Sequence, residues 1–221
     1  MSTINLDKFK NKLIVFEGID GVGKTTQAKL LNKYLNDHNI ESIFTYEPGD
    51  WGKDYNKISL IFRDYCKNSN YNFTDLSTLF LFYIDRQQNI QNVILPSLLQ
   101  GKTVILDRYI LSSKVYQLIA KELSKKYNLN NKDMEWLLFI SSLDSKGNSV
   151  TPDYTFLLQR DSSFKKTNTD KFDKFENDNS FTKKIKEGYE EEKKLNKDLK
   201  LINIEKNEKE EETLLKILLS V

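Results

Sequence analysis

Leu13-Ile14-Val15-Phe16-Glu17-Gly18-Ile19-Asp20-Gly21-Val22-Gly23-Lys24-Thr25-Thr26 is the stretch that decides how this chain folds. From Gly18 to Thr25 it is a complete GxxxxGK[ST] phosphate-binding loop. The run before it, Leu13 to Phe16, is short and wholly apolar, as a buried strand requires. After it, Ala28, Leu31 and Leu35 recur at helical spacing. A strand, a glycine turn and a helix in that order give the motif its mechanism. The glycines let backbone N–H groups curl around phosphate oxygens, and the helix N-terminus adds partial positive charge. Gly18, Ile19, Asp20, Gly21, Val22, Gly23, Lys24, Thr25 and Thr26 are therefore the candidate nucleotide-binding residues. Lys24 can reach the β- and γ-phosphates, and the Thr25 hydroxyl can ligate Mg²⁺.

Composition narrows the setting. With 221 residues, one domain with a substantial core is the expectation. Basic and acidic residues number 34 and 32, so the net charge of +2 carries no nucleic-acid or membrane signal. Cys66 is the only cysteine, which rules out an intrachain disulfide and points to a reducing, cytoplasmic setting. No segment approaches the roughly 18 apolar residues of a membrane span. Residues 1–11 are polar and read as a short, loosely ordered extension. Of the 34 basic residues, 30 are Lys and only four, Arg63, Arg86, Arg108 and Arg160, are Arg. Each Arg thus marks a place to look for chemistry that Lys cannot perform.

Strand-like apolar runs at 13–16, 43–46, 104–106, 154–158 and 201–204 alternate with helix-length segments. These segments run over 24–38, 53–67, 74–100, 112–126, 132–141, 181–197 and 209–219, with Thr74 as an N-cap and Pro96 as a kink in the third. Such alternation predicts a parallel sheet with helices on both faces, binding its ligand at the carboxyl ends of the strands. The stretch 161–180 is rich in Lys, Asp, Asn and Thr and reads as a lid or a long surface loop. Lone His38 falls at the end of the first helix and has no catalytic partner pattern around it.

A phosphate loop alone leaves GTPases, ATPases, kinases and sulfotransferases open. Val104-Ile105-Leu106-Asp107 looks like a second nucleotide strand ending in a carboxylate near Mg²⁺. No Asn-Lys-x-Asp tetrapeptide is present to read guanine, and the length suits a small nucleoside or nucleotide kinase.

Further motifs resemble one family. Phe16-Glu17-Gly18-Ile19-Asp20-Gly21, then Glu47-Pro48-Gly49, then Leu81-Phe82-Tyr83-Ile84-Asp85-Arg86 follow in order. Asp107-Arg108-Tyr109 with Ser112-Ser113 and Tyr116-Gln117 is the most specific block; Pro152-Asp153 and Asp173-Lys174-Phe175-Glu176 come after it. Together they resemble the thymidylate kinase family of P-loop nucleoside monophosphate kinases. The resemblance implies a five-stranded parallel sheet in the order 2-3-1-4-5 with a short lid, a homodimer, and Mg-ATP-dependent phosphorylation of dTMP to dTDP. It implies that Lys24, Arg108 and the lid residue Lys174 neutralise the transferring group, with Thr25 and Asp107 at Mg²⁺. It places Asp20, Glu47, Pro48, Arg63, Phe82, Arg86, Arg108, Ser113, Tyr116 and Gln117 around the acceptor. Phe82 would stack on thymine, although a Phe on a helix is more often ordinary core. Arg160 has no role in that scheme.

Three features depart from the family. Tyr46 stands where bacterial members usually have Arg, and Asp50 replaces a glycine. Residues 161–180 contain no Arg, offering Lys165, Lys166, Lys171 and Lys174 instead. Two other readings therefore stay open: a kinase of the same fold with another nucleoside or nucleotide acceptor, and a nucleotide-binding regulatory protein with weak or no catalysis.

Overall fold

The computed structural model describes residues 4–49, 73–120, 122–160 and 179–221. The expected helix at 53–67, Asp50, Arg63, Cys66 and the lid lysines including Lys174 lie outside the described residues. Strands β1 (Leu13–Glu17), β2 (Ser42–Tyr46), β3 (Thr103–Asp107), β4 (Tyr154–Arg160) and β5 (Leu199–Ile204) form one sheet in the order β2-β3-β1-β4-β5. All four pairings are parallel. The central strands β1 and β3 are buried at every position, which is why Leu13–Phe16 and Val104–Leu106 within them are continuous apolar runs rather than alternating ones.

The helices are α1 (Lys24–Asp37), α2 (Asp75–Asn89), α3 (Leu95–Leu99), α4 (Ile110–Ser113), α5 (Leu123–Lys126), α6 (Asn131–Ser141), α7 (Asn179–Leu195) and α8 (Glu210–Leu219). One face of the sheet packs Phe16, Ile105, Phe156 and Leu158 against Ala28, Leu31 and Leu35 of α1 and Leu214, Ile217 and Leu218 of α8. The opposite face packs Leu13, Val15, Val104 and Leu106 against Ile90 and Ile94.

Two helices differ from their sequence pattern. The long helix expected over 74–100 starts as anticipated, with the Thr74 side chain accepting from the Ser77 N–H. It then widens into a π-helical turn over Ile90–Ile94 before Pro96 at the start of α3. Proline has no N–H and crowds the preceding turn, so the wider turn takes the place of a simple kink. The segment expected as one helix over 112–126 is α4 followed by a π-helical stretch, Lys114–Ala120, with α5 separate.

The N-terminal stretch is a further correction. Residues 4–11 are not a loose extension: Leu6–Phe9 forms a 3₁₀ turn capped by Asn5, and Phe9 is fully buried. The Thr103 hydroxyl donates to the Phe9 carbonyl at 2.5 Å, tying the turn to β3. No helix among the described residues is long and apolar enough to cross a membrane.

Candidate active site

The carboxyl ends of β1, β2 and β3 meet at an open cleft of about 530 Å³. Its lining includes Asp20 from the phosphate loop, Glu47 and Pro48 after β2, and Phe82 and Arg86 from α2. Arg108, Tyr109, Ser112, Ser113, Tyr116 and Gln117 complete it from β3 onward. Every acceptor-site residue expected from the sequence, apart from Arg63, is thus gathered around one space. Phe82 and Arg86 are four residues apart on α2 and so share a face. Phe82 is half-buried on the cleft wall rather than in the core. The π-helical stretch brings Tyr116 and Gln117 round to the side of Ser112 and Ser113, a widening that periodicity does not reveal.

Arg86 is buried to 1% exposure and makes four hydrogen bonds. It donates to Glu47 Oε2 from Nε at 3.0 Å and from Nη2 at 2.9 Å, to Ser113 Oγ at 2.8 Å and to Ser141 Oγ at 3.0 Å. Its guanidinium also lies over the Tyr109 ring at 4.9 Å. Burial pushes the Glu47 carboxyl up to about 7 against the opposing pull of Arg86. For Arg86, burial works against the charge, but Glu47 and the neighbouring tyrosines more than offset it. The Glu47–Pro48 peptide bond is cis.

Arg108 holds the other side. It adopts a left-handed backbone, φ +72°, immediately after β3. A non-glycine residue held there costs about 1–3 kcal/mol. That turn sends its side chain back across the phosphate loop, where it donates to the Gly18 carbonyl at 3.3 Å and to Ser112 Oγ at 2.9 Å. It also pairs with Asp20 and stacks on the Tyr116 ring at 4.8 Å.

Lys24 opens α1 and is nearly buried. Its ammonium donates to the Ile19 carbonyl at 2.9 Å and stands 3.5 Å from Asp20 Oδ1. Oδ1 of Asp20 therefore faces both Lys24 and Arg108. Thr25 Oγ1 donates to Asp107 Oδ2. Asp107 Oδ1 is buried without a hydrogen-bond partner, and burial raises this carboxyl against the pull of Lys24. A hydroxyl beside a carboxylate whose second oxygen lacks a donor suits a hard cation such as Mg²⁺. Such an ion takes its remaining oxygens from phosphate and water, and no cluster of three or more acidic, His or Cys side chains stands among the described residues. Within the loop, Gly21 is exposed, Ile19, Gly23 and Thr26 are half-buried, and Val22 packs into the core beneath α1.

Two important groups escaped the sequence reading. Glu17, fully buried at the end of β1, accepts from the Tyr109 N–H at 2.9 Å, the Ser112 N–H at 3.1 Å, the Ser112 hydroxyl at 2.5 Å and the Tyr189 hydroxyl at 3.2 Å. It locks the turn that carries Arg108. Its signal was present: a carboxylate ending an otherwise apolar strand must be satisfied somewhere. Ser141, which orients Arg86 from α6, carried no signal.

A parallel sheet whose first strand feeds a GxxxxGKT loop, with a buried carboxylate at the end of the adjacent strand, gives the chain the P-loop nucleotide-binding α/β fold. Comparison with known proteins sharpens that class. The model of a family described as thymidylate kinase matches residues 16–215. A thymidylate kinase of Thermoanaerobacter sp. (strain X514) is 32% identical over 183 residues, covering 81% of this chain and 82% of the relative. One from Dehalococcoides mccartyi is 34% identical over 179 residues, covering 80% and 79%. The crystal structure of thymidylate kinase from Ehrlichia chaffeensis aligns with a TM-score of 0.66 at 27% identity, covering 94% of this chain and 96% of the other. The solved structure of thymidylate kinase from Candida albicans aligns with a TM-score of 0.70 at 26% identity, covering 94% and 89%. The chain belongs to the thymidylate kinase family. It is accordingly an enzyme of the dTMP-phosphorylating class that uses ATP.

Proposed function

We propose that this protein transfers the γ-phosphoryl group of Mg-ATP directly and in line to the phosphate of dTMP. The observation that carries this reading is the shared carboxylate: Asp20 contacts Lys24 of the donor loop and Arg108 of the acceptor cleft. Two cations that meet on one carboxylate mark two phosphate sites close enough for direct transfer. Phosphoryl transfer depends on positioning and charge neutralisation more than on covalent catalysis. Lys24 and Arg108 serve those ends, and Arg108 does so with a fork that matches phosphate geometry. Thr25 and Asp107 would hold Mg²⁺, which supplies charge neutralisation at the phosphate oxygens when bound. Asp20, on the cleft lining, would also meet the acceptor sugar.

The base pocket fits thymine. Gln117 Oε1 is buried on the cleft wall without a hydrogen-bond partner, so it calls for a donor. Thymine offers one at N3–H, and its O4 can accept from Arg86, whose four hydrogen bonds leave one of its five donors. Cytosine has the opposite pattern, an acceptor at N3 and a donor at N4. Phe82 supplies a face for the ring, and Tyr116 a wall beside the sugar. For Arg63 and Lys174, which lie outside the described residues, we propose the roles that the family resemblance implies, toward the acceptor and the transferring group.

The chain is proposed to act as one domain, with 161–180 as a lid and a cytoplasmic setting inferred from its single cysteine. A homodimer would use the outward face of α2, where Phe80 and Ile84 are four residues apart and half exposed. The stereochemical course tests the mechanism. Transfer of a chiral thiophosphoryl group from ATPγS to dTMP should invert configuration at phosphorus; retention would mean a covalent intermediate and overturn direct transfer.

A further inference from the structure

Strand β4 outruns its neighbour. Its pairing with β1 ends where Glu17 meets Leu157, the point at which β1 becomes the phosphate loop. β4 continues to Arg160 alongside that loop. The contact is close: a Cβ placed at Gly18 would lie 2.5 Å from the Leu158 carbonyl oxygen. Alternation fixes which way the last residues face. Phe156 and Leu158 belong to the core under α1, whereas Leu157 packs with Ile185 and Tyr189 of α7. Gln159 also faces α7, donating to Glu190 at 2.7 Å and accepting from Lys193 at 3.3 Å. Arg160 is thereby directed to the α1 side. Its Nη2 lies 3.8 Å from where a Cβ at Gly23 would stand, against the N-cap residue of α1.

Two guanidiniums thus flank the loop. Arg108 approaches from β3 and lines the acceptor cleft. Arg160 approaches from β4, on the other side of β1, and is not part of that lining. It stands where the N-terminus of α1, with no acidic residue in its first turn, already favours anions. In a chain with 30 Lys and four Arg, a guanidinium at this rim is a departure from the default cation.

We infer that Arg160 is a donor-side binding residue that pairs with the polyphosphate of the nucleoside triphosphate and takes no part in holding the acceptor. The inference rests on the proposed phosphoryl transfer, because it presumes that the loop binds a triphosphate. Arginine suits the task through its planar, bidentate donors.

The test measures dissociation constants for ATP, inorganic tripolyphosphate and dTMP in the wild type, Arg160→Met, which keeps most of the stem, and Arg160→Lys, which keeps the charge. Arg160→Met should weaken ATP and tripolyphosphate alike by roughly ten- to a hundredfold, as loss of a charged hydrogen-bonding partner does. Its dTMP affinity should stay within about twofold, and Arg160→Lys should recover part of the loss. Unchanged ATP binding would overturn the inference. So would loss of ATP without loss of tripolyphosphate, which would put Arg160 on the base. Equal loss of all three ligands with a lowered melting temperature would make it a structural prop; if Arg160→Met fails to fold, Arg160→Lys decides by the same ratios. A wild type that binds ATP but leaves dTMP unphosphorylated would defeat the functional reading while leaving the Arg160 measurement intact.

Discussion

The phosphate loop and the cleft beside it, proposed here to take the donor and acceptor phosphates, are built in opposite ways. The loop relies on backbone: Gly18 sits at φ +136° with Leu158 pressed against it, so one added methyl group has nowhere to go. The cleft relies on side chains: Arg86 makes four hydrogen bonds in a buried setting, so atoms taken away are what it cannot tolerate. One region fails by addition and the other by subtraction. Asp20 is where the two meet.

The largest expected effect comes from subtraction. Arg86→Ala strips Glu47 of its buried partner and should cost about 3–5 kcal/mol of stability along with dTMP binding. Urea unfolding measures it, and a loss under about 1 kcal/mol would mean that the pair is not integral to the cleft. Next comes Lys24→Ala, which removes the loop's one side-chain cation while leaving its backbone intact. Its kcat should fall by about 10²–10³, the usual cost of one electrostatic stabiliser. Near-wild-type turnover would remove Lys24 from the transferring group.

Addition ranks third. Gly18→Ala combines a disfavoured backbone with a clash and should destabilise by about 2–4 kcal/mol. A melting temperature equal to the wild type's would show that β4 can move aside. Phe82→Ala should be milder, raising KM for dTMP by about tenfold with KM for ATP unchanged. Equal changes in both constants would return Phe82 to the role of ordinary packing.

The remaining prediction is a pH dependence. The folded Glu47 carboxyl, at about 7, binds its proton more tightly than the unfolded one at 4.5. Its contribution to stability is therefore complete below pH 4.5 and is lost as the pH rises through 7. Glu47→Gln cannot titrate, so the stability of the wild type relative to this variant should decline across that window. A relative stability that instead grows with pH would contradict the burial of this carboxyl.

The same contrast explains what the sequence disclosed. The loop was legible because glycine, lysine and threonine at fixed spacing leave few alternatives, and the alternation of short apolar runs with helix-length segments announced a parallel sheet. The cleft was legible only in part. Its members lie far apart in the chain, and they were identified by resemblance to a family, not by periodicity. The π-helical turn that swings Tyr116 and Gln117 into place depends on tertiary packing, as does the positive φ of Arg108. Ser141 looks like any serine at a helix end. Phe9 was misjudged because its neighbours are polar, although one buried aromatic ring sufficed to anchor the N-terminal turn. Arg160 was conspicuous by residue type, but only the overhang of β4 beyond β1 gave it a neighbourhood.

The most direct test of the central account is the rate of ADP release from Mg-ATP with dTMP, dUMP, dCMP, dGMP, dAMP or thymidine as acceptor. The account predicts release with dTMP well above the rest and little with thymidine, which has no phosphate for Arg108 to hold. Preference for another acceptor, or no release despite demonstrated ATP binding, would contradict it.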